Sequence, residues 1–281
     1  MAWITFAIVF WLAAWAFNVW LAGSAFGQTR AGRIAVAVIF GVTLLVLWEG
    51  LVRGLNVPPV ILPPPSAIGA KFAASGPVLW SDFVQTFVKG ALTGYLMGCA
   101  AAVVVAVLID RSPFLTRGLL PVGNFVAALP IVGIAPILVM WFGFDWQSKA
   151  AVVVVMVFFP VLVNVVAGLQ AADRMQKDLM ATWGASWWQT MWKLRLPAAM
   201  PFLFNGLKIA TTLALIGAIV AEFFGSPIVG MGFRISTEVG RLGLDMVWAE
   251  IAVAAIAGSV FYGLVSLAEK GVTFWHPSQR R

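Results

Sequence analysis

Few side chains in this sequence could do covalent chemistry, and their spacing keeps them apart. Among 281 residues His276 is the only histidine and Cys99 the only cysteine. A protein-bound zinc ion or a Ser-His-Asp triad needs several such groups converging, so neither is a workable reading of this chain. The eleven acidic residues are mostly isolated, and the closest pairs, Asp173/Asp178 and Asp245/Glu250, stand five apart. No G-x-x-x-x-G-K-[ST] run occurs, so the chain lacks a phosphate-binding loop of its own. What remains is chemistry of placement. Glu222 ends the apolar run "LALIGAIVAE", where a carboxylate is costly unless it is paired or wet. Three readings stay open for it: lining a solute path, bracing an outer segment through Arg234 or Arg241, or marking the water interface. A second feature is "MATWGASWWQTMWKLRLPAAMP" (180–201), an amphipathic stretch between two apolar runs.

The elements that must position these residues are membrane helices. Hydrophobic residues make up 62% of the chain and charged residues 10%, against about 25% charged in a soluble domain. The fold class is therefore an all-α integral membrane protein. The net charge of +7 is scattered singly between apolar runs, which excludes a phosphate-tracking patch and hence a nucleic-acid partner. A spanning helix needs about 20 mainly apolar residues. Such runs lie at about 2–22, 34–55, 87–109, 119–142, 150–169, 202–222 and 248–268, which gives about seven spanning helices. The first run is read as a retained helix rather than a cleaved leader, because its basic residues, Arg30 and Arg33, follow it instead of preceding it.

Lys and Arg bias sets orientation. The richer set of segments holds Arg30, Arg33, Arg111, Arg117, Arg174, Lys177, Lys193, Arg195, Lys270, Arg280 and Arg281. The poorer set holds Arg53, Lys71, Lys149, Arg234 and Arg241. This predicts an outside N-terminus, a cytoplasmic C-terminus and a cytoplasmic 180–201 stretch. The proline-rich "NVPPVILPPPS" (56–66) and the segment 223–247 then lie outside. Gly90, Gly94 and Gly98 fall on one helix face and suit close helix approach, either inside one bundle or against a second copy. Pro130 and Pro136 interrupt the fourth run, as a cavity-lining break or a packing kink. Asn124 and Asn164 are read as interhelical hydrogen-bonding residues.

The stretch 173–196 is too polar for hydrocarbon. Helix formers to Trp183 followed by Gly184 predict a helix ending in a left-handed glycine. Ser186 is placed to cap a second helix, in which Trp187, Met191 and Leu194 share a face while Gln189, Lys193 and Leu196 turn elsewhere. Pro197 is expected to stop it before the next span. Such an element suits the lipid interface or a groove on a soluble partner.

Here the residues carry a resemblance. Asp178-Leu179-Met180, three residues, Gly184, nine residues, then Leu194-Arg195-Leu196-Pro197 resembles the "EAA" loop of ABC importer permeases. Asp replaces the family's Glu, and Leu-Met its Ala-Ala. "LPPPS", "LPIVGIAPILVMWFG", "PVLVNVVAGL" and "GMGF" resemble the nitrate/sulfonate/taurine subgroup in the same order, over about residues 34–277. The resemblance implies a type I importer subunit with an importer domain at 31–281, a coupling loop at about 170–200, and an added N-terminal helix and linker at 1–30. It further implies a bacterial cytoplasmic (inner) membrane, a homodimer of permeases, two cytoplasmic ATPase subunits and an extracytoplasmic solute-binding protein. ATP and magnesium would be bound by the ATPase, with no cofactor on this chain. Asp178, Ala181, Gly184 and Ala185, with Leu194, Leu196 and Pro197, are the expected contacts to the ATPase. Pro130, Pro136, Met140, Trp141, Glu222 and Phe223 are the candidates for the solute path or gate.

Two other classes fit the sequence less well. An integral-membrane enzyme needs clustered polar groups at the membrane face, which the spacing above does not offer. A secondary transporter often shows internal repeats and intramembrane ion sites, and no clear repeat is visible. The solute expected from the resemblance is an oxoanion such as nitrate, a sulfonate or taurine, or a pyrimidine- or riboflavin-like molecule. No basic residue sits mid-span to hold an anion, which favours a neutral or aromatic solute, or selectivity residing in the binding protein.

Overall fold

The computed structural model describes residues 2–127 and 129–275. His276, Arg280 and Arg281 fall outside them, as does the side chain of Asn124. The elements run α1 (Ala2–Gly23), α2 (Arg30–Gly54), α3 (Pro65–Ala74), α4 (Gly76–Phe83), a π-helical stretch Val84–Leu92 and α5 (Thr93–Arg111). Then come α6 (Pro113–Ala127), α7 (Ile131–Phe142), α8 (Trp146–Gln170), α9 (Arg174–Thr182), α10 (Trp187–Thr190) and a π-helical turn Met191–Arg195. The last three are α11 (Leu196–Phe223), α12 (Met231–Gly240) and α13 (Leu244–Val272). Among the described residues six helical stretches are long and apolar enough to cross a membrane: Trp3–Gly23, Arg30–Gly54, Gly76–Arg111, Trp146–Gln170, Trp187–Phe223 and Leu244–Val272. The all-α class is as read from composition.

The fourth run, 119–142, is not one spanning helix. It divides into α6 and α7, with Pro130 extended (ψ 114°) just before Ile131. A proline forces its predecessor out of helical geometry, and this break leaves α7 at 12 residues, about 18 Å and too short for the hydrocarbon core. Pro136 does not interrupt; it sits inside α7.

The described residues group into two compact units. Of these, 2–77 and 237–250 make one, and 78–127, 129–236 and 251–275 the other. In the first, α2 packs on α1 through Gly50 and Gly54, whose missing side chains leave room for Ala7 and Ile4. The prolines of 56–66 keep the following segment irregular until Pro65 starts α3. Glu49 ties that start to α2: it accepts the Ser66 N–H at 2.9 Å and pairs with Arg53.

In the second unit α8 lies between α5 and α11. Its buried Val153, Val157, Val161 and Val165 recur every four residues, the spacing of one helix face. Gly94 and Gly98 of α5 meet that face: a Cβ on Gly94 would stand 2.7 Å from the Ala150 carbonyl oxygen, and one on Gly98 2.5 Å from Val157. Gly90 faces Lys149 and Ala218. The glycine face is therefore filled by the chain's own helices. Opposite, Gly206 of α11 approaches Val161 and Asn164, and Asn164 accepts a hydrogen bond from Asn205 at 3.0 Å, the interhelical role expected of it. Lys208 and Glu269 pair at 2.8 Å between α11 and α13.

Pro197 does not stop the second helix of the polar stretch. Trp187–Phe223 is one continuous helix, and the wide π turn at Met191–Arg195 precedes the proline. A proline ring clashes with the carbonyl four residues back and offers no N–H. In the π turn the Leu196 N–H bonds to Met191, five residues back, so the ladder opens where the ring needs room. The same turn rotates Leu196 inward onto the main apolar cluster beside buried Met191, not away from that face.

Candidate functional site

Between α8 and the helix beginning at Trp187 the chain leaves the bundle. α9 has no buried residue. Its end is closed by two backbone bonds, Gly184 N–H to Ala181 at 2.9 Å and Ala185 N–H to Met180 at 3.0 Å, with Gly184 at φ +68°. This is the glycine-terminated helix end that the sequence predicted. Ser186 then caps α10: its hydroxyl accepts the Gln189 N–H at 3.3 Å, and the Gln189 side chain accepts the Ser186 N–H at 2.7 Å. Local chemistry alone thus fixes a helix, a tight turn and a second helix.

Of the residues expected to meet a partner here, Asp178, Ala181 and Gly184 are exposed. Ala185, Leu194, Leu196 and Pro197 are half-buried, and Leu196 is turned to the core. Sequence reasoning missed the strongest surface signal. Met175, Leu179 and Trp183, spaced by four, form an apolar stripe exposed at 76%, 48% and 73%. The spacing was visible, but neither residue type nor period says which face of a short helix is covered.

The polar stretch is also fastened to α5. Asp110 accepts a charge-assisted hydrogen bond from Arg195, and the Arg111 guanidinium lies 5.4 Å from the centroid of the Trp187 ring.

At the opposite end of α5, α8 and α11 a buried polar cluster holds the segment 225–234. Glu222, 2% exposed, accepts the Thr86 hydroxyl at 2.9 Å and the Gly232 N–H at 2.8 Å. Thr86 in turn accepts the Met231 N–H at 2.7 Å, and Asp82 accepts the Gly230 N–H at 2.7 Å. Three successive N–H groups at the start of α12 thus meet a hydroxyl and two carboxylates, partners favoured by the unsatisfied donors and dipole of a helix N-terminus. Arg234 bonds to Asp82 at 2.8 Å, and Arg241 pairs with Glu238. Glu222 therefore braces this segment through Thr86 and the backbone, while Arg234, one of the two arginines expected to hold it, bonds to Asp82; at 2% exposure Glu222 marks no water interface. Gly230 (φ +131°) and Gly232 leave no room for a side chain, since a Cβ on Gly230 would lie 2.5 Å from the Glu222 carboxylate.

Lys149, 1% exposed, donates to the carbonyls of Phe144 and Gly225. Beside it the Trp146 N–H and the Gln85 amide hold the exposed Asp145 carboxyl below its ordinary range. α7 packs on α8 and α11 through Ala135 and Leu138. Met140 (83%), Trp141 (73%) and Phe223 (45%) remain exposed; so does Pro130, while Pro136 is half-buried. Asp82, Thr86, Lys149, Asp110 and Arg111 were not singled out from sequence. The usable signal was the cost of a lone charge within or beside an apolar run.

Residues 94–274 match the family described as "Binding-protein-dependent transport system inner membrane component". The chain is 32% identical over 216 residues to a probable ABC transporter permease protein of Haemophilus influenzae, covering 77% of this chain and 87% of that protein. It is 30% identical to a riboflavin transport system permease of Chloroflexus aurantiacus (84% and 88% covered). A taurine transport system permease of Escherichia coli is 28% identical (83% and 86%). The chain belongs to the binding-protein-dependent transport system inner membrane component family, and is an ABC transporter permease with several membrane-spanning helices.

Proposed function

We propose that this chain forms the solute pathway of an ATP-driven importer and that residues 174–197 are the element through which a separate ATPase acts on it. The observation that carries the reading is α9: a helix with nothing buried, braced at its end by the Gly184 turn, showing Met175, Leu179 and Trp183 to a partner. A helix offering anchors at i, i+4 and i+8 suits a groove on a soluble protein. Asp178 and Ala181 lie exposed alongside.

The full assembly under this reading is a homodimer of permeases in the bacterial cytoplasmic membrane, two ATPase subunits and an extracytoplasmic binding protein. ATP and magnesium sit on the ATPase. The N-terminus is outside and the C-terminus cytoplasmic, with 1–30 an added helix and linker before an importer domain at 31–281. Exposed Met140, Trp141 and Phe223 belong to the surface that meets the solute or the second permease. The solute is a small organic molecule or oxoanion, of the kinds named for the relatives. Lys149 has its ammonium occupied by two carbonyls, which supports selection by the binding protein rather than by a fixed charge in the pathway.

The test is co-purification with a candidate ATPase subunit co-expressed with this chain. Leu179→Asp combined with Trp183→Asp is expected to reduce retained ATPase roughly tenfold, the scale of losing one or two interface anchors, while the chain still inserts. Gly184→Val, which no longer fits φ +68°, is expected to separate ATP hydrolysis from transport. Undiminished retention with the paired aspartates would remove the assignment. Titrating the binding protein with taurine, nitrate and riboflavin then sorts the solute class.

A further inference from the structure

The junction between the polar stretch and α5 is more specific than core packing requires. Asp110 and Arg111 are the last two residues of α5. The Asp110 side chain is only 8% exposed and is paired with Arg195, itself 21% exposed. Arg111 covers the ring of Trp187. Trp187 begins α10 and Arg195 ends the π turn, so one dipeptide grips the segment 187–195 at its first and last residues. Between the two grips Met191 is wholly buried in the same cluster as Ile109. An exposed ion pair exchanges partners freely and fixes little. A carboxylate buried to this degree is strongly disfavoured without its partner, so Arg195 is confined to one place.

We infer that Asp110 and Arg111 are positioning residues of the coupling machinery, which make α5 follow the polar stretch. The inference rests on the proposed seat of that stretch on an ATPase. Without the grip, α9 and α10 would hand motion to α8 and α11, with which they share a continuous backbone, and to α5 only through the non-directional apolar contact around Met191. With it, the same displacement is imposed on α5. Because α5 and α11 both pack against α8 through small residues, the two would move together at the far end, where Asp82, Thr86 and Glu222 hold the segment 225–234.

A nucleotide-driven labelling experiment needs no knowledge of the solute. Ile228, 77% exposed in that far segment, is replaced (Ile228→Cys), and the permease–ATPase complex is reconstituted in nanodiscs. Maleimide labelling is timed without nucleotide and after trapping with ATP and vanadate. The parent is expected to change its labelling rate several-fold on trapping. Asp110→Arg and Arg195→Asp are each expected to cut that response roughly tenfold, the size of a coupling residue's effect, with the ATPase still bound. The combined D110R/R195D is expected to restore it, and Arg111→Gln to weaken it less. Asp110→Asn, a smaller change, serves should a charge reversal lower the amount of folded chain.

Parent-like responses in Asp110→Asn and in either reversal would overturn the grip alone. So would a combined variant no better than the worse single at equal chain level. A parent that fails to retain ATPase, or whose labelling ignores nucleotide, would instead overturn the proposed seat and the grip with it.

Discussion

Gly230 shows how a single atom can be forbidden. Its φ of +131° is a region that side-chain-bearing residues rarely enter, and the place a Cβ would take is filled by the Glu222 carboxylate. Gly230→Ala is therefore expected to destabilise the protein by about 1–3 kcal/mol from backbone strain alone, with a further loss as Glu222 is displaced. Thermal unfolding in detergent checks this, and an unchanged Tm would refute it. Glu222 was conspicuous in the sequence because a carboxylate ends a long apolar run, but its partners were not. Thr86 lies 136 residues away, and Arg234, one of the two arginines offered as a brace, is taken by Asp82, 152 residues from it. Pairings over such separations are decided by packing, which no local pattern encodes. The turn at Gly184 and the cap at Ser186 were legible because every atom involved lies within a few residues.

Small residues decide how the helices meet. Gly90, Gly94 and Gly98 advertised a close-packed face, and two occupants stood open, the bundle itself or another copy. α8 is the occupant, with Ala150, Val153, Val154 and Val157 against Gly94 and Gly98. Gly94→Leu is expected to force α5 from α8 and lower the amount of folded chain severely. Overpacking by even a few methylenes costs about 1–3 kcal/mol, and here the nearest atoms include backbone, which cannot rotate aside. Membrane-fraction yield and Tm report it; parent-like values for both would contradict the packing. Helix type and approximate position were read well from apolar runs. Two element boundaries were not. Pro197 reads as a terminator in the sequence, yet the π turn before it absorbs the ring, and such a turn has no sequence signature. The fourth run has the length and hydropathy of a span, whereas Pro130 breaks it and leaves α7 short.

At the scale of the whole chain, its exposed surface is dominated by large apolar side chains, from Trp3 and Phe6 to Leu264 and Leu267, which a bilayer covers at no hydrophobic cost. Among the described residues the buried charges of Asp82, Lys149 and Glu222 are each held by a partner or a set of carbonyls. Nothing in the sequence supplies a phosphate-binding loop, so the purified chain alone is expected to release no phosphate from ATP, and a phosphate-release assay above blank would contradict the assignment of hydrolysis to another subunit. Class and membrane character were written in composition and in the Gly184–Pro197 spacing, whereas the buried cluster and the α5 junction emerge only once helices are stacked.

The unbroken helix from Trp187 to Phe223 carries Arg195 near one end and Glu222 near the other. At 1.5 Å per residue these two charges stand about 40 Å apart. A shaft of this kind transmits twist as well as thrust. Turning it by one residue's worth of pitch, 100°, would swing Glu222 wholly out of reach of Thr86, so only small angles are compatible with an intact far end. Two prolines lie inside it, Pro197 and Pro201; the π turn makes room for the first, and bending at the second is the means by which the shaft would lose torque.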